Sequence, residues 1–143
     1  MHRDEETEGS TTSVRILIVD DQEPFRAAAR DVIAMIDSFE IVGEAETGTG
    51  SIEAAAALRP NLILMDINLP DMDGLEATRR ILDGNPNGIV VVALSTYERE
   101  RYEERAAQSG AVAYIPKSEF DPDQLLAAWE AATERRHGSS TGK

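Results

Sequence analysis

Three carboxylates, a hydroxyl and an ammonium stand at the carboxyl ends of four separate apolar runs. Asp20 and Asp21 follow residues 14–19, Asp66 follows 62–65, Ser95 follows 89–94, and Lys117 follows 111–116. If those runs are parallel strands of one sheet, their carboxyl ends share an edge, where open α/β sheets place their functional crevice. Carboxylates grouped there repel and raise one another's pKa unless a cation sits among them. Magnesium suits such a set: it takes oxygen ligands, keeps several waters and binds one or two carboxylates together with a phosphate oxygen. A carboxylate beside that metal can attack phosphorus and form a transient aspartyl-phosphate, which makes Asp66 the candidate acceptor.

Each residue also has a plainer use. Asp20, Asp21 and Ser95 precede expected helices, where such side chains cap free N–H groups, and Asp66 opens a loop that it could cap. Lys117 is harder to explain that way. It is one of two lysines, the other being Lys143, and arginine fills the remaining Lys/Arg positions. A compact ammonium at a strand end serves as a point-charge partner for phosphate. Tyr114, in the run before it, is expected to pack inward, with a polar tip that could serve a moving part. His2 and His137 lie in the terminal stretches and are assigned no role.

The elements that must position these groups alternate short β-branched runs with alanine-rich amphipathic stretches, the pattern of a parallel sheet covered by helices on both faces. Five strand–helix units are expected. Strand 14–20 leads to a helix over 23–36, with Pro24 harmless in its first turn and Phe25, Ala28, Ala29, Val32, Ile33 and Ile36 forming the buried stripe. Strand 40–45 leads through Gly48 and Gly50 to a helix that ends before Pro60, because the residue preceding proline disfavours helical backbone. Strand 62–66 is followed by a loop over 68–74 and a helix over 74–82 that Gly84, Pro86 and Gly88 break. Strand 89–94 is apolar throughout and reads as central. A helix over 97–109 interleaves Glu and Arg on a solvated face, Gly110 stops it, and 112–115 makes a short fifth strand. A last helix opens at Asp121 and Pro122 and ends near Thr133. Residues 1–13 read as a flexible acidic extension, 14–134 as one domain and 135–143 as a disordered tail.

The 143 residues suffice for one domain with its own core. The net charge of −13 opposes attraction to nucleic-acid phosphates and anionic lipid. Without cysteine there is neither a disulfide framework nor thiol chemistry. No apolar stretch approaches the roughly 20 residues of a membrane span, and the amino end lacks a signal peptide's apolar core. A cytoplasmic protein is expected. Walker, HExxH and GxSxG motifs are absent, and the segment from Asp66 has proline at its fifth position and no glycine at its sixth, so it is not an EF-hand loop.

In this order and spacing, the segments VRILIVDD, NLILMDINLPDMDG, IVVVALS and AVAYIPK resemble the receiver domain of two-component response regulators, over about residues 14–132. The run DDQEPFRAAARDVI, with GEAETG after it, looks closer to receivers that precede a helix-turn-helix output domain, the NarL/FixJ-like group, although no such output domain follows in this sequence. The resemblance implies a doubly wound, flavodoxin-like sheet of five strands in order 2-1-3-4-5. It implies Asp66 as phosphoacceptor, Asp21 as a direct Mg2+ ligand, Asp20 as an acidic-pocket member acting partly through water, and a metal contact from the Asn68 backbone carbonyl. Ser95 and Lys117 would bind phosphoryl oxygens, and Tyr114 would be the aromatic switch. The donor would be a histidine kinase or a histidine phosphotransfer protein. The remodelled face of helix four, strand five and helix five would be read by a downstream protein target or a second copy of the chain. Such a domain promotes only its own phosphorylation and dephosphorylation.

Some positions depart from the usual pattern. Thr96 is larger than the residue many receivers carry there and crowds phosphate access, and Tyr97 is placed to shield the phosphoryl group, so slow self-dephosphorylation is expected. Ser118 replaces the proline that often follows the lysine, so no cis peptide is expected there, while the Ile115–Pro116 bond is open to either isomer. Two rival readings remain. One is a binding module of receiver fold that works without phosphorylation. The other is a small phosphatase, because the stretch from Asp71 to Gly74 resembles the DxD signature of haloacid-dehalogenase-type enzymes. That signature should directly follow a strand, whereas here Pro70 intervenes.

Overall fold

The computed structural model describes residues 13–85, 88–96 and 99–141. Strands β1 (Val14–Val19), β2 (Phe39–Ala45), β3 (Leu62–Asp66), β4 (Val90–Ser95) and β5 (Ala113–Pro116) alternate with helices α1 (Glu23–Ala34), α2 (Gly48–Leu58), α3 (Gly74–Gly84), α4 (Arg99–Ser109) and α5 (Pro122–Thr141). All strand pairs are parallel, in the order β2-β1-β3-β4-β5 expected from the sequence.

Successive residues of the central strands feed two apolar cores. Leu17, Val19, Ile63, Met65, Val91 and Ala93 face one, with α2, α3 and α4 packed over them. Ile16, Ile18, Leu62, Leu64, Val92 and Leu94 face the other, covered by α1 and α5. Period-two alternation between two buried faces leaves no polar phase, which is why these strands read as unbroken apolar runs.

Pro24 lies in the first turn of α1 as expected. The stripe of α1 holds at Ala29, Ile33 and Ile36, with Phe25 and Val32 packed against it, but Ala28 is exposed and Arg26 is buried in its stead. Arg59, between α2 and Pro60, adopts left-handed backbone at φ 51°. Arg15 of β1 reaches that helix end and donates to the carbonyls of Leu58 at 2.7 Å and Arg59 at 2.6 Å, placing positive charge where the last acceptors of α2 lack partners.

Several boundaries differ from the sequence reading. α1 stops at Ala34, with Met35 capping it, and α3 continues to Gly84. A 3-10 turn over Lys117–Glu119, unanticipated, joins β5 to α5. α5 runs on to Thr141 rather than ending near Thr133. No cis peptide occurs among the described residues. Tyr97, and with it the expected shielding role, lies outside the described residues, as does most of the acidic extension. No helix among the described residues is long and apolar enough to cross a membrane.

Candidate functional site

The sheet order gathers the chemistry-bearing residues at one edge. Asp20 and Asp21 leave the carboxyl end of β1, Asp66 ends β3, Ser95 ends β4, and Lys117 follows β5. Asp20, Asp21 and Asp66 each bring a carboxylate oxygen to a cluster whose ligand atoms all lie within 4.8 Å of one another. Asp20 and Asp66 are buried while Asp21 is exposed, so the cluster opens to solvent on one side.

Lys117 closes the cluster from the β5 side. Its Nζ lies 2.7 Å from Asp20 Oδ2 and 3.6 Å from Asp66 Oδ1. The ammonium also sits 4.7 Å from the centroid of the Phe25 ring, which itself packs against Phe120 at 5.7 Å. That ring gives the cation a favourable face while its charge points into the cluster.

Asp20 is divided between two tasks. Oδ1 accepts the Gln22 backbone N–H at 2.8 Å, a local turn just ahead of α1. Oδ2 is buried and lies 2.7 Å from the Lys117 ammonium, its charge partner. Three carboxylates with ligand atoms within 4.8 Å of one another, offset by a single ammonium, make a hard oxygen donor set of the kind a divalent cation takes. The donor set therefore fits magnesium.

Burial, and next the charge of Asp20, push the Asp66 carboxyl up from 3.8 to about 6, with Asp21 adding a little; Lys117 and the Asn68 N–H pull the other way. That N–H donates to Asp66 Oδ1 at 3.3 Å. The Asn68 side-chain amide donates to Ser95 Oγ at 3.4 Å, linking the loop after β3 to the fully buried serine that ends β4. Tyr114 packs inward as expected, 3% exposed, with its ring stacked on Tyr102 of α4 at 6.3 Å.

Asp71 and Asp73 lie elsewhere in function. Asp71 accepts the backbone N–H of Gly48 at 2.7 Å and of Thr49 at 3.0 Å, together with the Thr49 hydroxyl at 2.8 Å, tying the loop after β3 to the start of α2. Asp73 caps α3 through Leu75 N–H at 2.7 Å and pairs with Arg105 of α4 at 2.8 Å. Both members of the DxD pair thus hold helices in place, which removes the ground for the phosphatase reading.

Two residues of the site escaped the sequence reading. A Cβ on Gly74 would lie 2.1 Å from the Asp66 carbonyl oxygen, so only glycine lets the loop fold back over the acceptor's own backbone. Arg26 donates to the Asp20 carbonyl at 2.6 Å from within α1. Its signal was present: it falls in phase with Ala29 and Ile33 on the buried stripe, a basic residue where an apolar one is expected.

The family model for the response regulator receiver domain matches residues 16–130. The chain belongs to this family. The receiver is 38% identical over 104 residues to the response regulator GacA of Pseudomonas viridiflava, covering 73% of this chain and 48% of that protein, so it spans about half that relative's length. A LuxR-family two-component response regulator from Aurantimonas sp. SI85-9A1 aligns with a TM-score of 0.76 at 28% identity over 84% of each chain. The receiver domain of the putative response regulator NarL from Mycobacterium tuberculosis aligns at 0.71 and 26%, over 81% of this chain and 96% of that one. These likenesses agree with a NarL-like receiver of two-component signalling.

Proposed function

We propose that this receiver accepts a phosphoryl group on Asp66 from a phosphohistidine donor and passes the signal to a protein target through its α4–β5–α5 face. The observation that carries this reading is the three-carboxylate cluster with Lys117 set between Asp20 and Asp66. An Asp66 carboxylate oxygen attacks phosphorus. As the O–P bond forms, the donor's P–N bond breaks, and its electron pair returns to the imidazole, which takes a proton from water. Asp20, Asp21, Asp66 and the Asn68 backbone carbonyl would hold magnesium, which when bound neutralises charge on the phosphoryl oxygens.

Lys117 then pairs with one phosphoryl oxygen and Ser95 Oγ donates to another. In the 3.4 Å Asn68–Ser95 contact the serine oxygen accepts, so it does not compete with donation from the Ser95 hydroxyl to a phosphoryl oxygen. The shift of Ser95 changes the packing around Tyr114, and α4 responds through the Tyr102 stack. The size of the response equals the difference in how the two conformations bind the phosphoryl group.

Intact-protein mass after incubation with acetyl phosphate and magnesium, beside an Asp66→Asn variant, tests the reading. A labile phosphoryl adduct on the wild type alone is expected. No adduct on either protein, or the same adduct on both, overturns the assignment of Asp66.

A further inference from the structure

We propose that Arg26 is a positioning residue for the acidic site, holding the Asp20–Asp21 turn in its metal-binding geometry by fastening the Asp20 carbonyl to α1 and to the end of β2. This rests on the reading of the Asp20, Asp21 and Asp66 cluster as a magnesium site.

The geometry is specific. Arg26 is 9% exposed, an uncommon burial for arginine unless every donor is engaged. One terminal nitrogen donates to the Asp20 carbonyl at 2.6 Å, and Nε donates to Glu44 Oε1 at 3.1 Å. The other terminal nitrogen donates to Glu23 at 2.9 Å and faces Glu46 at 3.6 Å. The planar fork thus spans α1, β2 and the turn after β1, a geometry lysine cannot reproduce. Asp20 is thereby fixed at both backbone ends, since its own N–H donates to Ala45 O at 3.0 Å. With Oδ1 held by Gln22, Oδ2 faces the carboxylate cluster, where the Lys117 ammonium meets it at 2.7 Å. Partners that orient metal-binding carboxylates commonly govern affinity by one to two orders of magnitude.

Arg30 supplies an internal control. It shares Glu23 and Glu44 with Arg26 and pairs with those two carboxylates rather than with Asp20. A merely structural role for Arg26 would resemble that of Arg30.

The test is magnesium titration calorimetry on the full chain for wild type, Arg26→Gln, Arg26→Lys and Arg30→Gln, with thermal midpoints and amide hydrogen exchange at Asp21 and Gln22 recorded without metal. The expected result is a roughly tenfold or larger rise in Kd for Arg26→Gln and partial recovery with Arg26→Lys, which keeps one cationic donor for the carbonyl. Exchange at Asp21 and Gln22 should quicken in Arg26→Gln, while Arg30→Gln keeps the wild-type Kd and exchange even where its midpoint falls. Should Arg26→Gln not fold, a Kd for Arg26→Lys between twofold and tenfold above that of Arg30→Gln supports the role. Equal Kd values across folded variants overturn the role of Arg26 alone. A wild type that binds no magnesium overturns the metal reading and this inference together.

Discussion

At the scale of single residues, Asp66 shows how the site holds unfavourable charge in readiness for a cation. Its carboxyl is buried among Asp20 and Asp21, with Lys117 at 3.6 Å offsetting only part of the repulsion. Folding therefore costs more when Asp66 is ionised. Replacing it with the isosteric amide removes one of three clustered charges, so Asp66→Asn should be more stable than wild type in metal-free buffer at pH 7 by on the order of 1 kcal/mol after allowing for solvent screening, and should unfold at a higher temperature. Calorimetry without magnesium decides it, and an unchanged or lowered midpoint would show that Lys117 already balances the cluster. Gly74 works in the opposite sense. Its Cα passes so near the Asp66 carbonyl that an added methyl meets backbone and not a yielding side chain. Gly74→Ala should cost about 1–3 kcal/mol or more by overpacking, and should weaken magnesium binding as the loop lifts from β3. Circular dichroism melts read the first effect and calorimetric titration the second.

At the scale of elements, the loop after β3 is held from three sides, and Asp71 supplies one of them. The backbone N–H groups of Thr49 and Gly48, with the Thr49 hydroxyl, hold the Asp71 carboxyl down at about 2 against an ordinary 3.8. A group whose folded pKa is depressed stabilises the fold above its unfolded value and loses that contribution as pH falls through its folded value. The thermal midpoint gap between wild type and Asp71→Ala should thus be constant above about pH 4 and close between about pH 4 and 2. A gap that persists at pH 2 would assign the effect to packing. This anchoring was not legible in the sequence, where the pair Asp71 and Asp73 invited comparison with a catalytic motif. A cap between separate elements depends on tertiary placement, which local spacing does not carry. The strands, by contrast, were legible because both faces of β1, β3 and β4 are apolar, and their polar terminators marked the site. Arg26 was missed because an arginine in a surface helix is assumed to be solvated, and its partners Glu44 and Glu46 come from β2 and the turn beyond it.

At the scale of the whole molecule, a net charge of −13 and a local cluster of carboxylates both predict that cations stabilise the fold, and the two effects separate by dose. Diffuse repulsion among surface carboxylates is screened by any salt, over a length of about 10 Å at 0.1 M, and it responds to ionic strength without saturating at a stoichiometric site. Binding to the native state alone follows RT ln(1 + [Mg2+]/Kd), which gives about 2.7 kcal/mol at one hundred times Kd and then grows only logarithmically. For a domain of this size that corresponds to a rise on the order of 5–10 °C. Melting curves in magnesium chloride and sodium chloride at matched ionic strength should therefore diverge at low millimolar magnesium. Asp20→Asn, which removes one carboxylate charge and one oxygen donor from the cluster, should bring the two curves together while leaving the sodium response in place. Coincident curves for the wild type would mean that the acidic edge acts only as part of the general negative charge, and that its three carboxylates hold no metal of their own.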